Sequence, residues 1–74
     1  NYFVQAGAFT NKDVADNLTE KLNQFGNIST SPTEIGGNRF YRVREGPYNN
    51  ENEARSVLAQ IENFGVAGAA VIKD

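Results

Sequence analysis

Shifting the sequence by 39 residues lays one half of it on the other. Tyr2 falls on Tyr41, Val4 on Val43, Gly7 on Gly46 and Phe9 on Tyr48. The agreement runs on through Asn11 on Asn50, Ala15 on Ala54, Leu18 on Val57, Leu22 on Ile61, Phe25 on Phe64 and Gly26 on Gly65. Each copy reads as an alternating strand, a glycine break, an Asn-started helix and a glycine stop. A unit of this length is one supersecondary element that cannot bury its apolar face alone. Two of them in a 74-residue chain can bury each other's, so the repeat demands one small domain with internal two-fold similarity.

The elements can be read in chain order. In residues 2–9, Tyr2, Val4 and Ala6 share one face and Phe3, Gln5 and Gly7 the other, which predicts a strand with the first set toward the core. Asn11 is the expected N-cap of a first helix, with Thr10 and Asp13 as an alternative capping box. Val14, Ala15, Leu18, Leu22 and Phe25 form its apolar stripe, and Gly26 stops it. Residues 28–35 read as an edge strand, because Pro32 cannot donate to a ladder. Gly36-Gly37-Asn38 reads as a hairpin turn, leading into a strand from Arg39 to about Glu45 that Gly46-Pro47-Tyr48 breaks. Glu45 falls on the inward parity, which the strand end or solvent is expected to relieve. Asn50 and Glu53 make the capping box of a second helix, whose stripe is Ala54, Val57, Leu58, Ile61 and Phe64 and whose stop is Gly65. Residues 69–73 supply a last strand.

The fold class is therefore α+β: a ferredoxin-like βαββαβ chain, with a four-stranded antiparallel sheet carrying two helices on one face. The two repeated strands are expected at the centre and the other two at the edges.

Composition excludes more than it assigns. The chain has no Cys and no His, so disulfides, thiolate chemistry and the commonest general base are absent. Asp13, Asp16, Glu20, Glu51, Glu53 and Glu62 read as helix starts and solvated faces. No nucleophile sits beside a base and no metal-ligand spacing occurs, so the chain reads as non-catalytic, with no cofactor or metal. The net charge of −2 argues against a bulk electrostatic nucleic-acid binder. A strand opening at residue 2 and another closing the chain suggest a piece of a longer protein, with any membrane anchor elsewhere in it.

The sheet face left open by the helices is the candidate functional surface. It is expected to carry Phe3, Gln5 and Gly7, then Phe40, Arg42 and Arg44, with Ile72 joining from the last strand. Three of the seven basic residues fall between positions 39 and 44, against the overall charge. Such a face suits a flat, polymeric, partly anionic ligand: rings to stack, an amide to donate and accept, guanidinium groups to grip a carboxylate or phosphate. The plainer readings are a Phe3–Phe40 cross-strand pair, ordinary surface arginines, and glycines placed for turn geometry.

Two phrases, Val4-Gln5-Ala6-Gly7-Ala8-Phe9 and Tyr41-Arg42-Val43-Arg44-Glu45-Gly46-Pro47-Tyr48, with Asn50, Ala54, Leu58 and Phe64-Gly65 after them, closely resemble the SPOR (sporulation-related repeat) domain of bacterial cell-envelope proteins. The resemblance covers essentially the whole chain, residues 1–74 as one domain. It implies the fold already reached and non-catalytic binding of peptidoglycan glycan strands (GlcNAc-MurNAc) that lack stem peptides. It also implies a place on the periplasmic side of the envelope at the division septum, and leaves divisome proteins open as partners. The glycan-binding residues it implies are Gln5, Gly7, Ala8 and Phe9 from the first phrase, Phe40, Arg42 and Arg44 from the second, Asn11 at the adjoining loop and Ile72 at the last strand. Many relatives carry Ser in place of Ala8 and a β-branched apolar residue in place of Glu45. Two other classes use the same face: a protein-interaction or dimerisation module, and a single-stranded nucleic-acid binder, against which stand the missing RNP1 phrase and the negative charge.

Overall fold

The computed structural model describes residues 1–73. Its elements are β1 (Tyr2–Phe9), α1 (Lys12–Leu22), a 3₁₀ turn (Asn23–Phe25), β2 (Ile28–Ile35), β3 (Asn38–Tyr48), α2 (Glu51–Phe64) and β4 (Ala70–Lys73). The strands form one antiparallel sheet in the order β2-β3-β1-β4, with the repeated strands at the centre and Pro32 on an edge strand, as the sequence predicts. Both helices pack on one side. Val4 and Ala6 from β1, Val43 from β3, Ala15 and Leu22 from α1, and Ala54 and Ile61 from α2 form the buried core. Among the described residues no helix is long and apolar enough to cross a membrane.

Local chemistry sets the ends of the elements. The Asn11 side chain accepts the N–H groups of Asp13 (2.8 Å) and Val14 (3.3 Å), so Asn11 and not Thr10 caps α1. Asn50 does the same for α2, accepting from Glu53 N–H at 2.8 Å. Gly65 closes α2 in the left-handed conformation, with its N–H bonded to the Glu62 carbonyl and that of Val66 to the Ile61 carbonyl. The first helix ends differently from the prediction. Its α-helical part stops at Leu22, and Phe25 sits in the 3₁₀ turn that Gly26 ends. That turn brings Phe25 edge-on to Phe64, with ring centroids 5.5 Å apart, so the two repeat-related aromatics meet. Val14 and Phe64, assigned to the apolar stripes, are 46% exposed at the margin of the core.

Two bulges depart from simple alternation, and they fall at the same step of each repeat. In β1 the register with β3 slips between Gln5 and Gly7, and in the β1–β3 pair it slips again where Gly46-Pro47 intrudes between Glu45 and Tyr48. A bulge inverts the parity of everything beyond it. Gly7 therefore stands opposite buried Val43, Phe9 opposite Tyr41, and Ala8 turns to the open face opposite Arg42. Likewise β3 does not end at Glu45: it continues through the bulge, and Tyr48 returns to the helix side, where it and Phe9 pack against the core.

The glycines at the two bulges serve different ends. A Cβ on Gly7 would meet the Phe9 ring at 2.7 Å, so this position is kept clear for an aromatic of the same strand. Gly46 holds φ +136°, and a Cβ there would lie 3.0 Å from the Tyr2 carbonyl oxygen. At both positions the space a side chain would need is already taken by the chain itself.

Candidate functional site: the open sheet face

The Gly36-Gly37 turn, with φ of +57° and +82°, is a two-residue hairpin loop, and it fixes the pairing of β2 with β3 from Ile35 opposite Asn38 downward. Combined with the β1 register, it lays the open face out in rows that cross the strands. Ser29, Arg44, Gln5 and Ala70 make one row. Ser31, Arg42 and Ala8 make the next, and Thr33 and Phe40 the one beyond. At the other end, Phe3 pairs with Ile72.

Phe3, Gln5, Phe40, Arg42, Arg44 and Ile72 thus share the face assigned to them, all half-buried. Ala8 joins them through the bulge and is exposed. The remaining candidates are placed elsewhere. Phe9 turns its ring to the core side and Gly7 lies beneath that ring, so neither presents a side to the open face. Asn11 is exposed beyond the end of β1, with its carbonyl oxygen already committed to capping α1. The cross-strand Phe3–Phe40 pair does not form. Phe40 stands opposite Thr33 and Phe3 opposite Ile72, which at about 3.3 Å per residue puts them at opposite ends of the face.

The arginines differ in what they touch. Arg39 is on the other parity, at the hairpin end, 3.5 Å from Glu34. Arg44 lays its guanidinium over Phe3, 4.2 Å from the ring centroid, a cation–π contact that fixes both groups. Arg42, among the described residues, has no ion pair or hydrogen bond. Gln5 likewise keeps its amide unbonded within the described chain, next to Arg44. Away from the face, Lys12 pairs with Asp16 (2.7 Å) and Arg55 with Glu51 (2.6 Å) along the outer sides of their helices, contacts that water and salt largely screen.

Residue-type reasoning overlooked the hydroxyls. Ser29, Ser31 and Thr33 line the β2 side of the face beside Arg44, Arg42 and Phe40. Their neighbours Thr30 and Ile28 face the helices, and Thr30 shares a 2.6 Å hydrogen bond with Thr19 of α1. The signal was available: a two-residue turn at Gly36-Gly37 fixes which β2 residues oppose Phe40, Arg42 and Arg44.

On the covered side lies the one buried acidic residue among those described. Glu45, expected to reach solvent, has no exposed surface. Its carboxyl lies under Gly26, where a Cβ would be 3.6 Å from Oε1, and neither oxygen has a partner at full hydrogen-bonding geometry. Burial pushes its pKa up from the ordinary 4.5, and the approach of the Tyr48 hydroxyl only partly offsets this. Tyr48 in turn is pushed up to about 12, by burial first and by the neighbouring carboxyl second. In the repeat this position corresponds to Ala6, so only the second copy carries the charge inward.

Comparison with known proteins places this geometry. The family model described as SPOR domain matches residues 1–72. The crystal structure of the RlpA SPOR domain from Pseudomonas aeruginosa superimposes with a TM-score of 0.89 at 24% identity, covering 100% of both chains. The solution structure of the peptidoglycan binding domain of the Bacillus subtilis cell wall lytic enzyme CwlC superimposes with a TM-score of 0.73 at 31% identity, covering 96% of this chain and 85% of that one. No curated protein matches the chain.

Proposed function

Because the chain belongs to the SPOR-domain family, we propose that it is a non-catalytic module that binds peptidoglycan, and binds best the glycan strands stripped of their stem peptides. The observation that carries this is the open sheet face: an elongated surface with Phe3 at one end, Phe40 at the other, and Gln5, Arg42 and Arg44 between, covered by neither helix. The likeness to the Bacillus domain, whose own description is peptidoglycan binding, supports the polymer class.

The chemistry favours stripped strands for a definite reason. In intact wall the lactyl carboxyl of each muramic acid is consumed in a neutral amide linkage, and the stem peptide it carries is bulky. An amidase frees that carboxylate and removes the obstruction. Arginine on the sheet then meets an anion it can hold by charge-assisted hydrogen bonds, and Gln5 can serve N-acetyl groups as donor and acceptor. Stripped strands accumulate where amidases divide the wall, so the module would carry its parent protein to the division septum on the periplasmic side of the envelope.

The test is co-sedimentation with purified sacculi, either untreated or digested with an N-acetylmuramoyl-L-alanine amidase. Stronger pelleting after digestion is expected. Equal and negligible pelleting in both samples refutes the proposal.

A further inference from the structure

The three rows of the open face are not equivalent, and the difference assigns separate tasks to its two arginines. Arg44 is already engaged: its guanidinium covers the Phe3 ring at 4.2 Å, and Ile72 flanks that ring from β4. A guanidinium spread over a ring loses part of its freedom to reorient toward an incoming anion. It gains the capacity to hold the ring in place and to extend the flat surface that the ring offers.

Arg42 is in the opposite condition. It is half-buried, makes no ion pair or hydrogen bond with any described residue, and stands between two small side chains, Ser31 on β2 and Ala8 on β1. The bulge in β1 is what brings Ala8 there; an unbroken register would set Gly7 opposite Arg42 instead. The row Ser31–Arg42–Ala8 is thus a low step in the sheet surface. It offers one fork of donors and one hydroxyl at its rim, between taller neighbours at Phe40 and Arg44. A carboxylate accepts from a planar guanidinium fork in two parallel bonds, and a serine hydroxyl can donate a third.

Resting on the glycan-binding reading above, we infer that Arg42 with Ser31 forms the subsite for the free lactyl carboxylate, while Arg44 is a positioning residue that holds Phe3 as a stacking platform for a sugar ring. Discrimination between stripped and peptide-bearing strands resides in the Ser31–Arg42–Ala8 row. The Phe3–Arg44 pair contributes affinity without sensing the carboxylate.

The experiment compares two soluble ligands on the same chain. One is the glycan released from amidase-digested sacculi. The other is that glycan after its muramic carboxyls have been converted to methyl amides. Dissociation constants are measured for wild type, Arg42→Ala, Arg42→Lys, Ser31→Ala, Arg44→Ala, Phe3→Ala and the Phe3→Ala/Arg44→Ala pair, with far-UV circular dichroism to establish folding. Loss of a bidentate charge-assisted contact is roughly tenfold or more in affinity. Wild type should lose about that factor on the amidated glycan. Arg42→Ala should lose it on the native glycan and nothing further on the amidated one. Arg42→Lys, which keeps the charge and loses the fork, and Ser31→Ala should fall between. Arg44→Ala should weaken both ligands equally, and should cost nothing more once Phe3 is already Ala. Equal losses by Arg42→Ala on both glycans, or an Arg44→Ala loss that disappears on amidation, overturn the assignment while leaving glycan binding intact. A wild type that binds neither glycan overturns the glycan-binding reading and this inference together.

Discussion

Replacing Glu45 with Gln should stabilise this domain at neutral pH and leave it unchanged in acid. The side chain has no exposed surface, its two oxygens lack well-formed partners, and burial holds its pKa above the ordinary 4.5. The sign comes from linkage. A carboxyl that binds its proton more tightly in the folded chain than in the unfolded one contributes its full stability below the unfolded value. That contribution is lost as pH rises from about 4.5 through the folded value. Between the two values the fold bears the cost of keeping the group protonated, and above the folded value it carries a desolvated charge. An unpartnered buried polar group costs about 1–3 kcal/mol, and more when charged. Gln keeps the shape and the acceptor toward Tyr48 but removes the charge, so a gain of about 1 kcal/mol is expected at pH 7. For a domain of this size that corresponds to a rise of roughly 4–8 °C in Tm. Thermal unfolding of both proteins by circular dichroism from pH 3 to pH 8 measures it. The two curves should coincide at the acid end, separate as pH rises past about 4.5, and run a constant distance apart once the folded carboxyl is ionised. A difference that does not depend on pH, or a Gln variant less stable than wild type at pH 7, would refute the argument that burial of the carboxyl is the cause.

The bulges and the caps yield three further outcomes. Gly46→Ala forces a side chain into φ +136° with a Cβ 3.0 Å from the Tyr2 carbonyl oxygen, and should cost about 1–3 kcal/mol; an unchanged unfolding midpoint would show that the bulge relaxes freely. Phe9→Ala should destabilise by about 1–3 kcal/mol, the ring being only partly buried, while the folded fraction binds sacculi as wild type does. A stable Phe9→Ala chain that no longer pellets with sacculi would return that ring to the binding surface. Asn50→Ala removes the acceptor of the Glu53 N–H bond and should cost about 1 kcal/mol in urea unfolding, with the m-value unchanged.

The sequence by itself determined the architecture. A repeat of 39 residues, two capped apolar stripes and a proline on one strand leave little freedom in how four strands and two helices are joined. Local signals sufficed there because each acts within a few residues: Asn11 caps α1, Asn50 caps α2, Gly65 stops α2, and the Gly36-Gly37 turn fixes a hairpin. The sequence also determined that Phe3, Gln5, Phe40, Arg42 and Arg44 share a face, since period-two alternation holds up to each bulge.

Only the tertiary structure decided what lies beyond the bulges. A bulge is an agreement between two strands about which residues to skip, so a single strand's pattern does not reveal it. That is why Ala8 is on the open face, Phe9 and Tyr48 are inside, and β3 runs past Glu45. The fate of Glu45 was beyond local reading for the same reason: whether an inward carboxyl reaches water depends on the Gly26 segment and Tyr48 closing over it. The different roles of Arg42 and Arg44, identical in type and two residues apart, come from a neighbour on another strand. Phe3 of β1 lies under one of them, and no described residue pairs with the other.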